Sequence, residues 1–151
     1  MGGVIIRSAL PRLTQYKEHF HSLVTLSSPH MGYAYSDSSL IDAGLWIINN
    51  VSECQSIQQL TMKDAESPEE TFMYQLSMKA GPDWFKKIVL MASHQDLYVP
   101  FYSARVQKHD LSALDYNKNV KKALVYCQMI DNLLSRFEGT IIRVDVNFEM
   151  P

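Results

Sequence analysis

Two short stretches hold most of the side chains able to do chemistry. One, Ser28-Pro29-His30-Met31-Gly32, follows the β-rich run Ser22–Ser27; the other, His94-Gln95-Asp96-Leu97-Tyr98-Val99-Pro100, follows the apolar run Ile88–Ala92. In open α/β sheets the loops at the carboxyl ends of strands form the site, which makes these two the first candidates. Asp96 places a carboxylate in such a loop; taken by itself, an aspartate there more often caps a turn by binding nearby amides. His30 could line a substrate pocket or help its loop close; the more frequent fate of such a histidine is a structural hydrogen bond. His94 shares a short loop with Asp96, so a structural hydrogen bond is the readier reading than a substitute base. Ser27 and Ser28 stand outside any Gly-x-Ser-x-Gly, the strained elbow that exposes a nucleophilic hydroxyl, and read as partners of the loop backbone.

For these loops to meet, the elements around them must bring them to one edge of a sheet. Between Met1 and about His19, Val4, Ile5, Ala9, Leu10 and Leu13 fall near one helical face, entered through Gly2-Gly3 without a cap and disturbed by Pro11. Ser22–Ser27 ends at Pro29 and Gly32, the punctuation of a strand giving way to a loop. Ser36-Asp37-Ser38-Ser39 offers caps for a helix from about Leu40 to Val51. Within it Leu45-Trp46-Ile47-Ile48 reads as core, with a lid as the alternative. Ser67-Pro68-Glu69-Glu70 predicts a capping box opening a helix from Pro68 to about Lys79, closed by Gly81-Pro82. Lys87–Ser93 lacks alternation, as expected of a central strand covered on both faces of a parallel sheet. A long helix follows from about Asn119 to Phe137, with Val120, Ala123, Leu124, Cys127, Ile130, Leu134 and Phe137 on one side. In the last strand, Thr140–Phe148, the residues Ile142, Val144, Val146 and Phe148 alternate with Arg143, Asp145 and Asn147, leaving one wetter face.

This order predicts an α/β fold: a mainly parallel sheet of about three strands with flanking helices, joined by right-handed crossovers. Three strands make a thin sheet, and the first helix reads as the second half of a strand-turn-helix unit, so residues 1–151 are expected to be one portion of a larger domain. The 151 residues carry 14 Lys+Arg against 16 Asp+Glu, with no basic block, which excludes nucleic acid bound through phosphate contacts. No apolar run approaches the roughly 18 residues of a membrane span, and Arg7 interrupts the apolar start Val4-Ile5-Ile6. The expectation is a soluble, unprocessed, cytoplasmic chain. Cys54 and Cys127 lie far apart with no C-x-x-C spacing, signalling neither a disulfide framework nor a zinc site.

An Asp three residues past a buried strand and followed by Val99-Pro100, together with Ser28-Pro29-His30-x-Gly32 after the previous strand, resembles the lipase-like serine esterase branch of the α/β-hydrolases. The likeness is most specific at Ser22–Gly32 and Lys86–Arg105. It implies that Met1-Gly2-Gly3-Val4-Ile5-Ile6-Arg7-Ser8 is the tail of a Gly-His-Ser-x-Gly-Gly elbow whose Ser precedes Met1. It further implies Asp96 as triad acid, the Met1 amide as an oxyanion-hole donor, and Pro29, His30 and Gly32 as pocket residues. The triad histidine would follow the last strand, but no histidine follows His109. The resemblance implies acyl-ester or lipid hydrolysis in a complete domain, no turnover by these residues alone, and no metal or organic cofactor, since this chemistry uses only side chains and amides. Whether the chain is itself an enzyme stays open at this point. A catalytically inert α/β-hydrolase-like domain binding lipid or protein is the competing reading, and a chain that does not fold alone is a third.

Overall fold

The computed structural model describes residues 1–33, 54–108 and 116–149. The helix predicted at Leu40–Val51, with its Leu45–Ile48 cluster, lies outside them. Three strands, β1 (Ser22–Leu26), β2 (Lys87–Ala92) and β3 (Thr140–Asp145), form one parallel sheet in the order β1-β2-β3. Among the described residues five α-helices accompany them: α1 (Gly2–Ala9), α2 (Gln55–Leu60), α3 (Phe72–Ser77), α4 (Phe101–Ala104) and α5 (Tyr116–Leu134). The parallel α/β sheet with flanking helices agrees with the fold class read from the sequence.

Each chain crossing advances one strand in the same direction, and right-handed crossovers of that kind place their helices on one face. Leu23, Ile88 and Leu90 of the sheet accordingly share one core with Val4 and Leu10, Leu76 of α3, and Val125, Met129 and Ile130 of α5. The opposite face is Val24, Val89 and Ile142 in one register row and Leu26, Met91 and Val144 in the next. Val24 is 57% and Leu26 71% exposed there. β2 is therefore central, but it is not covered on both faces as its unbroken apolar run suggested. The same geometry corrects the last strand. Ile142 is on the open face, whereas Ile141 packs on the core and Arg143 donates to the carbonyls of Arg105 and Val106 at 2.8 and 3.1 Å.

Helix boundaries moved for local reasons. Pro11 ends α1 early, and residues 10–12 and 14–19 form 3₁₀ turns in place of a continuous helix to His19. Ser67 bonds Glu69 rather than a backbone amide, so the capping box is not made. Pro68–Glu70 is instead a 3₁₀ turn, and α3 starts at Phe72, whose N–H goes to Asp64 Oδ2 at 2.8 Å. On α5 the buried stripe is Val125, Tyr126, Met129, Ile130 and Leu133, rotated from the expected one, with Leu124 exposed. Among the described residues, no helix is long and apolar enough to cross a membrane.

Candidate active site

The carboxyl ends of β1 and β2 lie side by side, with the Ser27 N–H donating to Met91 O at 2.9 Å, so the two chemistry-bearing loops share one edge of the sheet. After β2 the chain turns sharply: Ser93 Oγ accepts the Gln95 N–H at 3.0 Å and Ser93 O accepts the Asp96 N–H at 3.3 Å. Asp96 is half-buried, and its Oδ1 accepts the amides of Tyr98 and Val99 at 2.8 and 3.0 Å. That is an Asx turn, which orients the carboxylate through the backbone. Oδ2 carries no hydrogen bond among the described residues. Burial, and then the negative charge of Asp96, push the Tyr33 phenol above its usual range. His94 is exposed and stacks on Phe101 with ring centres 3.5 Å apart.

The first loop is tied down more tightly. His30 is 2% exposed, and its Nε2 lies 3.0 Å from Thr25 Oγ1. Its Nδ1 is buried without a hydrogen-bond partner among the described residues, so the favoured tautomer keeps the proton on Nε2 and donates it to Thr25. A second proton would have to enter at Nδ1. Burial first, then the charges of Arg7 and the Met1 amino group, lower the His30 pKa to about 3. Arg7, 2% exposed, reaches across from α1: Nη1–H donates to His30 O at 2.6 Å and Nη2–H to Leu76 O at 3.3 Å. Burial lowers the pKa of its guanidinium to about 10, so it remains a cation at neutral pH. Ser28 Oγ accepts the Gly3 N–H at 2.9 Å, while Ser103 Oγ accepts the Met31 N–H at 3.1 Å and donates to Gly32 O at 2.7 Å. These bonds join α1, the first loop and α4 into one unit.

The positions assigned from sequence therefore fall as follows. Met1 is the exposed residue before α1, and its carbonyl accepts the amides of Val4 and Ile5 at 3.0 and 3.2 Å. Pro29 and His30 are buried, and Gly32, also buried, sits at φ 68°, a left-handed conformation that favours glycine. The Ser28 hydroxyl accepts the backbone N–H of Gly3, at the start of α1.

Residues 1–113 match a family model described as "Putative serine esterase (DUF676)". The chain belongs to this serine esterase family. No solved structure matches the chain. The family match spans α1, both loops and Asp96, while β3 lies beyond it. A cleft of about 540 Å³ opens elsewhere, between residues 105–108, α5 and β3, and Asp96 is not among its lining residues. Its charges are already engaged: Arg105 pairs with Asp145, Lys108 with Asp131, and Arg143 binds two carbonyls.

Sequence reasoning missed Arg7, Gln95 and Ser103 as residues that tie these loops to the elements around them. The position of Arg7 among apolar residues of a helix was a signal, because a cation there must find buried acceptors. Gln95 and Ser103 gave none, as their partners lie 53 and 71 or 72 residues away.

Gly3 gives a direct check of the α1–loop contact. A Cβ there would sit 2.5 Å from His30 Cε1 and 2.6 Å from Ser28 Oγ, both on side chains held by hydrogen bonds. Gly3→Ala is expected to lower stability by about 2 kcal/mol in urea unfolding. Gly2→Ala, whose Cβ meets nothing within 4 Å, should be neutral or gain up to about 1 kcal/mol from helix propensity. Equal effects at the two positions would refute the tight approach.

Proposed function

We propose that this chain supplies the acid and a wall of the acyl pocket of a serine esterase, with Asp96 as the acid and an acyl ester, lipid esters in particular, as substrate. The observation that carries this reading is the division of labour on the Asp96 carboxylate. Oδ1 is held by two backbone amides, and Oδ2 carries no hydrogen bond among the described residues, in a loop at the carboxyl end of the central strand. A carboxylate oriented in this way can accept an imidazole N–H without rearranging, which is what the acid must do while the imidazole takes the proton of an attacking serine. Family membership supports the reaction class. By its likeness to the elbow tail, Met1 would face the oxyanion through its nitrogen once a preceding residue makes that nitrogen an amide, and its place before α1 suits that role because helix N-terminal amides favour negative charge.

The 151 residues contain no Gly-x-Ser-x-Gly and no histidine after His109, so the reading assigns nucleophile and base to residues outside this stretch. Short-chain nitrophenyl esters are accordingly expected to be hydrolysed by these residues alone no faster than by buffer. Turnover that disappears in Asp96→Asn would overturn that expectation. In a form that joins a Gly-x-Ser strand to Met1 and a histidine after β3, Asp96→Asn is expected to lower kcat about 10³- to 10⁴-fold with KM nearly unchanged. A loss below about tenfold would remove Asp96 from the acid role.

A further inference from the structure

Parallel pairing of β2 and β3 ends at Ala92 and Asp145, and one more rung follows, from the Val146 N–H to Ala92 O at 2.8 Å. Beyond Ala92 the backbone of β2 leaves the sheet through the Ser93–Asp96 turn and offers Phe148 no peptide group to pair with. The Gln95 carboxamide takes that place. Its Nε2–H donates to Phe148 O at 3.0 Å, and its Oε1 accepts the Phe148 N–H at 2.6 Å. A carboxamide carries the same donor and acceptor as a peptide group, so one side chain satisfies both main-chain groups of a single distant residue. Two bonds to one residue fix both the position and the direction of the segment that contains it. Gln95 and Phe148 are both exposed. Ordering an exposed glutamine costs about as much as two solvent-exposed hydrogen bonds return, so the clip acts on geometry rather than on stability.

We infer that Gln95 is a positioning residue that holds the segment after β3 alongside Asp96, so that a base carried by that segment meets the free oxygen of the carboxylate. This rests on Asp96 being the acid. Gln95 itself touches no reacting group; it acts through the backbone of Phe148.

The test uses the 151-residue chain with a reporter imidazole, Glu149→His, whose titration is followed by NMR. Its pKa is expected to lie about 1 pH unit above that of the same histidine in an Asp96→Asn background, as a facing carboxylate requires. Gln95→Met, which keeps the length of the side chain but loses the amide, should abolish most of that difference while the amide spectrum of the sheet stays unchanged. Gln95→Asn, with the same groups one methylene short, should do the same. If Asp96→Asn moves the reporter and neither Gln95 variant does, the positioning role is overturned and the acid reading stands. If Asp96→Asn leaves the reporter unmoved, the segment does not meet the carboxylate and the inference falls, while the acid reading is decided separately by the kcat of Asp96→Asn in the joined form. Collapse of the amide spectrum in both Gln95 variants would also overturn the inference, since the clip would then be needed for folding.

Discussion

Taking the protein from pH 6.5 to pH 5 is expected to remove roughly 1.5 to 2 kcal/mol of folding stability through His30 alone. The folded pKa is lowered to about 3, from an ordinary value of 6.5. Between those values the unfolded chain binds a proton at this position that the folded chain refuses, so stability rises with pH. The His30 contribution is complete above pH 6.5 and is lost as pH falls toward 3. The physical cause is that the entering proton must occupy Nδ1, which is buried without a partner among the described residues and faces the field of Arg7. Urea unfolding at intervals from pH 7 to 5 measures the slope in a window above the usual carboxylate range. His30→Gln keeps a donor for Thr25 but cannot titrate, so its slope should be smaller by about 1 kcal/mol per pH unit at the acid end of that window. Parallel slopes in the two proteins would show that His30 is charged, or accessible, in the folded state.

Arg7→Ala is expected to cost about 3 to 5 kcal/mol of folding stability, the largest stability loss of any substitution considered for this site. Two terms add. Truncation leaves a cavity where a fully enclosed side chain stood, and it removes charge-assisted donors from His30 O and Leu76 O. Among the described residues no carboxylate pairs with Arg7, so the variant strands no opposite charge, and relief of the desolvated cation offsets part of the loss. Arg7→Lys separates the terms: it keeps a cation but offers a point donor instead of a fork, and cannot serve two carbonyls on different elements with the same geometry. About half of the Ala loss is expected. Arg7 is also the second cause, after burial, of the lowered His30 pKa, so Arg7→Ala should flatten the acid dependence without abolishing it. A loss below about 1 kcal/mol, with an unchanged acid slope, would mean that Arg7 does not join α1 to the first loop.

The expectations that succeeded and failed differ in the range of the interactions they depend on. Ser22–Ser27 and Lys87–Ser93 announce strands because β-branched and apolar residues run between turn residues, and the structure places strands at Ser22–Leu26 and Lys87–Ala92. The Ser67–Glu70 signature failed because a cap is a competition, and the Asp64 carboxylate reached the first amide of α3 instead. The stripe predicted on the long helix was off by part of a turn because Tyr126 and Met129 are both buried while Leu124 faces out; which arc of a broadly apolar helix is buried depends on what it meets.

What the sequence by itself determined about this protein is the alternation of helices and strands, the parallel sheet, the family, and the two loops in which chemistry could sit, because each is written in neighbouring residues, through periodicity, turn chemistry or contiguous motif. What only the tertiary structure decided is which side of the sheet stays open, how Asp96 commits one carboxylate oxygen to its own turn, and the ties made by Arg7, Ser28, Gln95 and Ser103. The outcome at Asp96 depends on the fold of a whole turn, and the four ties join residues 23 to 72 positions apart, a few of many alternatives that chain order alone leaves equal until packing brings one set within hydrogen-bond distance.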